Sequence, residues 1–204
     1  MPSMPMPEPD TLSVLLVDDE IVRAAMVEEA LANDGHRVVC RLSSPASLND
    51  MVRQHQPDVV IIDMESPDRD TLESMALLQR ENPRPVVFFA DQHDPQSLKA
   101  AVKAGVSAYV VDGLAANRVK AVIEVAIARF EAFQGMRRDL DKARNQLADR
   151  KRIEQAKGLL MKHQSCDEEQ AYRMLRKLAM DRGQRIAQVA QNVIDILKPL
   201  EQGS

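Results

Sequence analysis

Arg150, Lys151, Arg152, Lys157, Lys162, Arg173, Arg176, Lys177, Arg182 and Arg185 crowd the stretch from Arg150 to Val193, opposed by Glu154, Asp167, Glu168, Glu169 and Asp181. A compact unit with that excess of cations attracts phosphate. Lys151, Arg152, Lys157, Arg173, Arg176, Lys177, Arg182 and Arg185 are therefore candidates for contacts to the phosphates or base edges of a nucleic acid. Gly158 follows Lys157 where a helix is expected, and glycine is unfavourable there. It admits two readings: close approach of a base or sugar to the helix backbone, or tight packing of helix on helix. Aromatic residues make up 3% of the chain and tryptophan is absent, so such a surface must rely on arginine and lysine rather than a row of stacking rings.

A second group is acidic. The apolar run Leu12 to Val17 stops on Asp18-Asp19-Glu20, and the run Asp58 to Ile62 stops on Asp63. Buried parallel strands that end on carboxylates deliver them to the edge of a sheet where ligands bind in α/β folds.

Apolar spacing supplies the elements that carry both groups. Strands are expected at Leu12–Val17, Arg37–Arg41, Asp58–Ile62, Pro85–Ala90 and Ala108–Val111, alternating with helices at Val22–Asn33, Ser47–Gln54, Asp70–Glu81 and Gln96–Ala104. Five alternating units predict a parallel sheet covered on both faces. Val119, Val122, Ile123, Ala126 and Ile127 fit a last helix on that sheet. Beyond it Phe133, Leu140 and Leu147, with Met136 and Ala143 three residues after the first two, form a short heptad seam, interrupted by Gly135. That seam suits either a helix packed on its own domain or a two-stranded coiled coil joining a homodimer.

From Arg150 three short helices are expected, with apolar stripes at Ile153, Ala156, Leu159 and Leu160, at Ala171, Met174, Leu175 and Leu178, and at Ile186, Val189, Ala190 and Val193. Ser165 to Glu168 fits a capping box, and Gly183 fits a left-handed helix stop. Tyr172, Met161, Met174 and Met180 read as core, and His163 as a loop residue with no second ligand at metal spacing.

Charge divides the same way. Residues 118 to 204 hold 18 Lys/Arg against 12 Asp/Glu, leaving 9 against 19 for residues 1 to 117, so an acidic domain precedes a basic one. Cys40 and Cys166 are too few and too far apart for a disulfide framework or a zinc site. Residues 1 to 10 are Pro-rich and acidic, without the apolar core of a signal sequence, and read as a disordered tail. No apolar run approaches the length of a membrane span, and a cytoplasmic protein is expected.

The basic stretch resembles the ANTAR module, the RNA-binding unit of bacterial transcription antiterminators. The resemblance rests on Ala156-Lys157, Leu160-Met161, Gln170-Ala171, Leu175-Arg176, Ala179-Met180 and Ile186 to Ala190, with glutamine at 170 departing from the family's glutamate. The acidic domain, Leu12 to about Ile127, resembles the receiver domain of response regulators. That resemblance implies a CheY-type fold over residues 11–128, a connecting helix or coiled coil at 129–149 and an ANTAR domain at 150–198. It further implies Mg²⁺ held by Asp18, Asp19, Asp63 and the backbone carbonyl of Glu65, with Asp63 as phosphoacceptor. Oxygen ligands suit that ion. Two positions depart: Ala90 stands where receivers carry Thr or Ser, and Asp112-Gly113 where they carry Lys-Pro.

The segment Gly105 to Leu114, GVSAYVVDGL, together with the missing lysine, is similar to the NasT branch of antiterminators, which controls nitrate and nitrite assimilation. The resemblance implies a non-enzymatic regulator that binds stem-loops in a leader mRNA, keeps a terminator from forming and lets RNA polymerase proceed. It also implies a nitrate-sensing partner protein that holds the regulator through the receiver-like domain, with the surface around Tyr109 to Gly113 as the expected contact. Two other classes stay open: a phosphorylation-switched DNA-binding response regulator, and a protein-interaction adaptor whose basic face meets an acidic partner.

Overall fold

The structure is a computed structural model and describes residues 11–92, 94–111 and 118–201. The expected tail at 1–10 and the Asp112-Gly113 pair lie outside the described residues. Two compact units divide the chain, Met1–Gln134 and Gly135–Ser204.

In the first unit β1 (Ser13–Asp18), β2 (Arg37–Leu42), β3 (Val59–Asp63), β4 (Val86–Ala90) and β5 (Ala108–Val111) form one parallel sheet in the order β2-β1-β3-β4-β5. The helices α1 (Ile21–Asn33), α2 (Leu48–His55), α3 (Arg69–Glu81) and α4 (Pro95–Lys103) alternate with the strands, and a 3-10 turn at Pro45–Ser47 leads into α2. Strand residues two apart share a face, so the sheet feeds two cores. Val14, Leu16, Val59, Ile61, Val87 and Phe89 pack against Ala24, Val27 and Leu31 of α1 and against Val119, Ile123 and Ala126. Leu15, Val17, Val60, Ile62, Val86 and Phe88 pack on the other face against Leu48 and Val52 of α2 and Met75 and Leu78 of α3. Unbroken apolar runs in β1, β3 and β4 are what burial on both faces demands. The register sets Asp18 opposite Asp63 at the ends of β1 and β3.

Val119 to Gln164 is one 46-residue helix, α5, uninterrupted at Gly135. The first of the three short helices expected after Arg150 is thus the end of α5 rather than an element of its own; no proline stands between Asn117 and Gln164. In the second unit its last turns meet α6 (Glu168–Arg182) and α7 (Ile186–Glu201) around Ala156, Leu159, Leu160, Ala171, Leu175, Ala179, Val189, Ala190 and Ile194. Gly183 ends α6 at φ 60°, as expected.

The capping box lies two residues later than the sequence suggested. Asp167 is the N-cap: its carboxylate accepts from Gln170 N at 2.7 Å, and the Gln170 side chain accepts from Asp167 N at 3.1 Å. Ser165 cannot serve, because its φ of 48° is left-handed, whereas an N-cap needs the extended backbone that Asp167 has. The glutamine that departs from the family pattern at 170 makes the return bond.

Candidate phosphoreceiver cleft and nucleic-acid interface

Asp18 and Asp63 are buried at the carboxyl end of the sheet, and Asp19 is exposed beside them. The side chain at their centre is Arg23, from the first turn of α1. Its Nε donates to Asp18 Oδ2 at 3.3 Å, and its Nη2 donates to Asp18 Oδ1 at 3.0 Å, to Asp19 Oδ1 at 3.1 Å and to the Asp63 carbonyl at 3.4 Å. Nε also stands 3.2 Å from Asp63 Oδ2, and Nη1 3.5 Å from Glu20 Oε2. The Asp63 contact is an ion pair without hydrogen-bond alignment, so both carboxylate oxygens of Asp63 are unsatisfied. Burial pushes the Asp63 carboxyl up to about 6, against the downward pull of Arg23; Asp18, Asp91 and Asp19 add to the rise. The hydrogen bond to Asp18 foremost, then the charges of Asp63 and Asp18, hold the Arg23 guanidinium above its ordinary pKa while burial opposes them.

With those groups so engaged, the side chains as placed do not fit a divalent cation: the guanidinium stands between the carboxylates that would ligate one. Glu65 lies in a bend just past β3, and its side chain is exposed. The sequence reading missed Arg23, although its spacing from Asp19 (i, i+4) and Glu20 (i, i+3) on a helical first turn was a usable signal. Ala90 is fully buried at the end of β4 and offers no hydroxyl. Tyr109, in the expected partner surface, is half-buried and stacks on Phe88 with centroids 5.4 Å apart and planes 5° from parallel.

In the second unit Lys151, Arg152, Arg173, Arg176, Lys177, Arg182 and Arg185 are exposed. Arg152 pairs with Asp149 at 2.9 Å and Arg173 with Glu169 at 3.6 Å, whereas Lys151, Arg176, Lys177, Arg182 and Arg185 have no ion-pair partner among the described residues. Arg173, Arg176, Lys177 and Met180 follow one another at helical spacing along the exposed face of α6. Lys157 differs from the other cations. It is buried, with Nζ 2.9 Å from Glu154 and 2.6 Å from Glu168, and these hydrogen bonds, Glu168 first, raise its pKa. The pair joins α5 to α6.

A Cβ built on Gly158 would meet no heavy atom within 4 Å, so helix packing does not require glycine there. Lys157, Glu168, Glu169 and Tyr172 line a shallow pocket nearby. Tyr172 (44% exposed), Met161 (37%), Met174 (39%) and Met180 (72%) lie on the surface, not in the core where the sequence reading put them. The stripe that faces inward on α6 is Ala171, Leu175 and Ala179, and Tyr172, Met174 and Met180 fall beside it, while Met161 lies on α5 next to buried Leu160.

The response regulator receiver domain profile matches residues 14–124, more than half of the chain, and the ANTAR domain profile matches residues 141–194. The chain belongs to the response regulators and carries an ANTAR domain. Its relatives include the transcriptional regulatory protein PdtaR of Mycobacterium tuberculosis, 27% identical over 90% of this chain and 90% of that protein. The nitrate regulatory protein of Klebsiella oxytoca is 33% identical over 42% of this chain and 22% of its own length. Among solved structures, the signal receiver domain of a modulated diguanylate cyclase from Desulfovibrio desulfuricans superposes with a TM-score of 0.54 at 22% identity, covering 60% of this chain and 98% of that one. A two-component response regulator of the LuxR family from Aurantimonas gives 0.53 at 21% identity, covering 58% and 86%. These two share the fold. No helix among the described residues is long and apolar enough to cross a membrane.

Proposed function

We propose that the chain is an RNA-binding transcription antiterminator, whose ANTAR unit grips stem-loops in a leader mRNA and so prevents a terminator from forming ahead of RNA polymerase. The observation that carries this is the run of exposed cations on the ANTAR unit, five of them without ion-pair partners among the described residues, together with an exposed tyrosine beside them. Unneutralised cations gain the most from phosphate, and an exposed ring offers a face to an unpaired base. Lys151, Arg152, Arg173, Arg176, Lys177, Arg182 and Arg185 are the proposed direct contacts. Lys157, held in its ion pairs, and the neighbouring open Gly158 complete the proposed set.

The receiver domain then takes its instruction from a sensor protein. Similarity to a nitrate regulatory protein favours the genes of nitrate and nitrite assimilation and a nitrate-sensing partner. The fully buried Ala90 favours protein contact over phosphate as the signal, since no hydroxyl stands there to read a phosphoryl group. The exposed stripe of Phe133, Met136, Leu140 and Leu147 on α5 favours a homodimer joined by a coiled coil.

Gel shifts with the full chain test the reading. A leader stem-loop should bind at least tenfold more tightly than the same stem with a scrambled loop, and a transcription assay on that leader should show added read-through. Preference for duplex operator DNA would favour the DNA-binding alternative, and equal binding of matched and scrambled loops would favour an adaptor.

A further inference from the structure

The guanidinium of Arg23 occupies the part of the receiver cleft that the resemblance assigns to Mg²⁺. It touches Asp18 through both carboxylate oxygens, Asp19 through one, and Asp63 through both a carboxylate oxygen and the main-chain carbonyl. These are the acidic groups from the ends of β1 and β3 that a divalent ion would need, and register keeps Asp18 and Asp63 side by side. Arg23 comes from the first turn of α1, whose inner face is pinned to the sheet by buried Ala24, Val27 and Leu31. Its side chain is 26% exposed, so it is delivered into the cleft by a fixed helix rather than lying over its mouth.

We propose that Arg23 is the resident cation of this receiver: its guanidinium compensates the Asp18, Asp19 and Asp63 carboxylates and excludes Mg²⁺, so the domain keeps its folded arrangement without a metal. A divalent ion entering the cleft must break the paired bonds to Asp18 and meet a fixed positive charge, because like charges at this separation repel strongly where water is scarce. The guanidinium is always protonated, its fork suits a pair of carboxylates, and it needs no dehydration of the kind that a small divalent ion resists. The unaligned ion pair to Asp63 shows the same geometry from the other side. The aligned bonds of the guanidinium go to the Asp18 carboxylate and the Asp63 carbonyl, which leaves the Asp63 carboxylate with the ion pair alone.

The test is a Mg²⁺ titration of the full chain, followed by calorimetry and by the melting temperature against NaCl at matched ionic strength. The wild type should show no saturable binding up to millimolar Mg²⁺ and no Mg²⁺-specific rise in melting temperature. Arg23→Gln should acquire Mg²⁺ binding at least tenfold tighter than any in the wild type, and Asp18→Asn in that background should abolish it. Arg23→Lys, which keeps the positive charge, should stay refractory. Saturable Mg²⁺ binding by the wild type at the same affinity as Arg23→Gln overturns the proposal, and so does a folded Arg23→Gln that gains none. Should Arg23→Gln unfold alone, recovery of its fold by Mg²⁺ but not by NaCl supports the proposal; the wild-type titration stands independently of that variant.

Discussion

Arg23 Nε lies 3.2 Å from Asp63 Oδ2, yet the Asp63 carboxyl is fully buried and neither of its oxygens receives an aligned hydrogen bond. Burial therefore outweighs the neighbouring cation, and the group titrates near 6 rather than at its ordinary 3.8. As pH rises between those values the unfolded chain gives up this proton first, so the folded state holds more protons and stability falls through the window. The stabilising advantage is complete below the unfolded value and lost once pH passes the folded one. At roughly 1.4 kcal/mol per unit, the charged form costs on the order of 3 kcal/mol. Asp63→Asn should remove that dependence: its melting temperature relative to the wild type should be several degrees more favourable at about pH 7.5 than at about pH 4. An equal difference at both would show that Asp63 is not the group responsible.

Sheet and helices were legible because two different periods do not mimic each other. In β3 every residue is buried and in β1 every residue after Ser13, the pattern of a central parallel strand covered on both faces. The carboxylates were equally plain, because a strand that ends on aspartate delivers it to a sheet edge whatever the rest of the fold does. Arg23 was not, since its partners lie at short spacing in Asp19 and Glu20 but also across the sheet at Asp63, a relation that appears only when β1 and β3 pair. Surface methionines were misread for a related reason. Met174 adjoins Leu175 in sequence, and an apolar side chain one step from the stripe satisfies a loose helical pattern while facing water.

Lys157 and Arg176 should separate under mutation even though the sequence groups them. Lys157 is bound to Glu154 and Glu168 and its side chain is 9% exposed, so Lys157→Met should lower the melting temperature of the ANTAR unit. Its glutamate partners are exposed, which limits the loss to about 1 kcal/mol. Arg176 is exposed and has no ion-pair partner among the described residues; Arg176→Ala should leave the melting temperature within error while weakening RNA binding several-fold. The salt dependence decides the matter: losing one phosphate contact lowers the slope of log K against log salt by about 0.7 to 0.9. A lower slope for Lys157→Met with unchanged stability would make that lysine a direct contact instead.

The stripe of Phe133 (59% exposed), Met136 (64%), Leu140 (50%) and Leu147 (57%) is a large apolar surface to leave in water along a single helix. Its seven-residue spacing turns these side chains to one side, the arrangement that two supercoiled helices bury. The full chain should sediment as a dimer at micromolar concentration, and Leu140→Asp should return it to a monomer with the receiver sheet intact by circular dichroism. A monomeric wild type at that concentration would remove the coiled coil from the proposed function and leave the RNA-binding reading standing.

Gly158 offers a prediction in which the two readings of one residue differ in sign. Had helix packing required a missing side chain, Gly158→Ala would create a clash and lower stability; but a Cβ there meets nothing within 4 Å. Alanine should instead stabilise α5 by up to about 1 kcal/mol, because glycine is the poorer helix former. If glycine is present so that a base or sugar can approach the helix backbone beside Lys157, the same methyl group occupies that space. Gly158→Ala should then raise the melting temperature and weaken binding of the leader stem-loop several-fold, with the salt slope unchanged because no charge is lost. Raised stability with full RNA affinity would take Gly158 out of the interface and leave the exposed arginines of α6 to carry recognition.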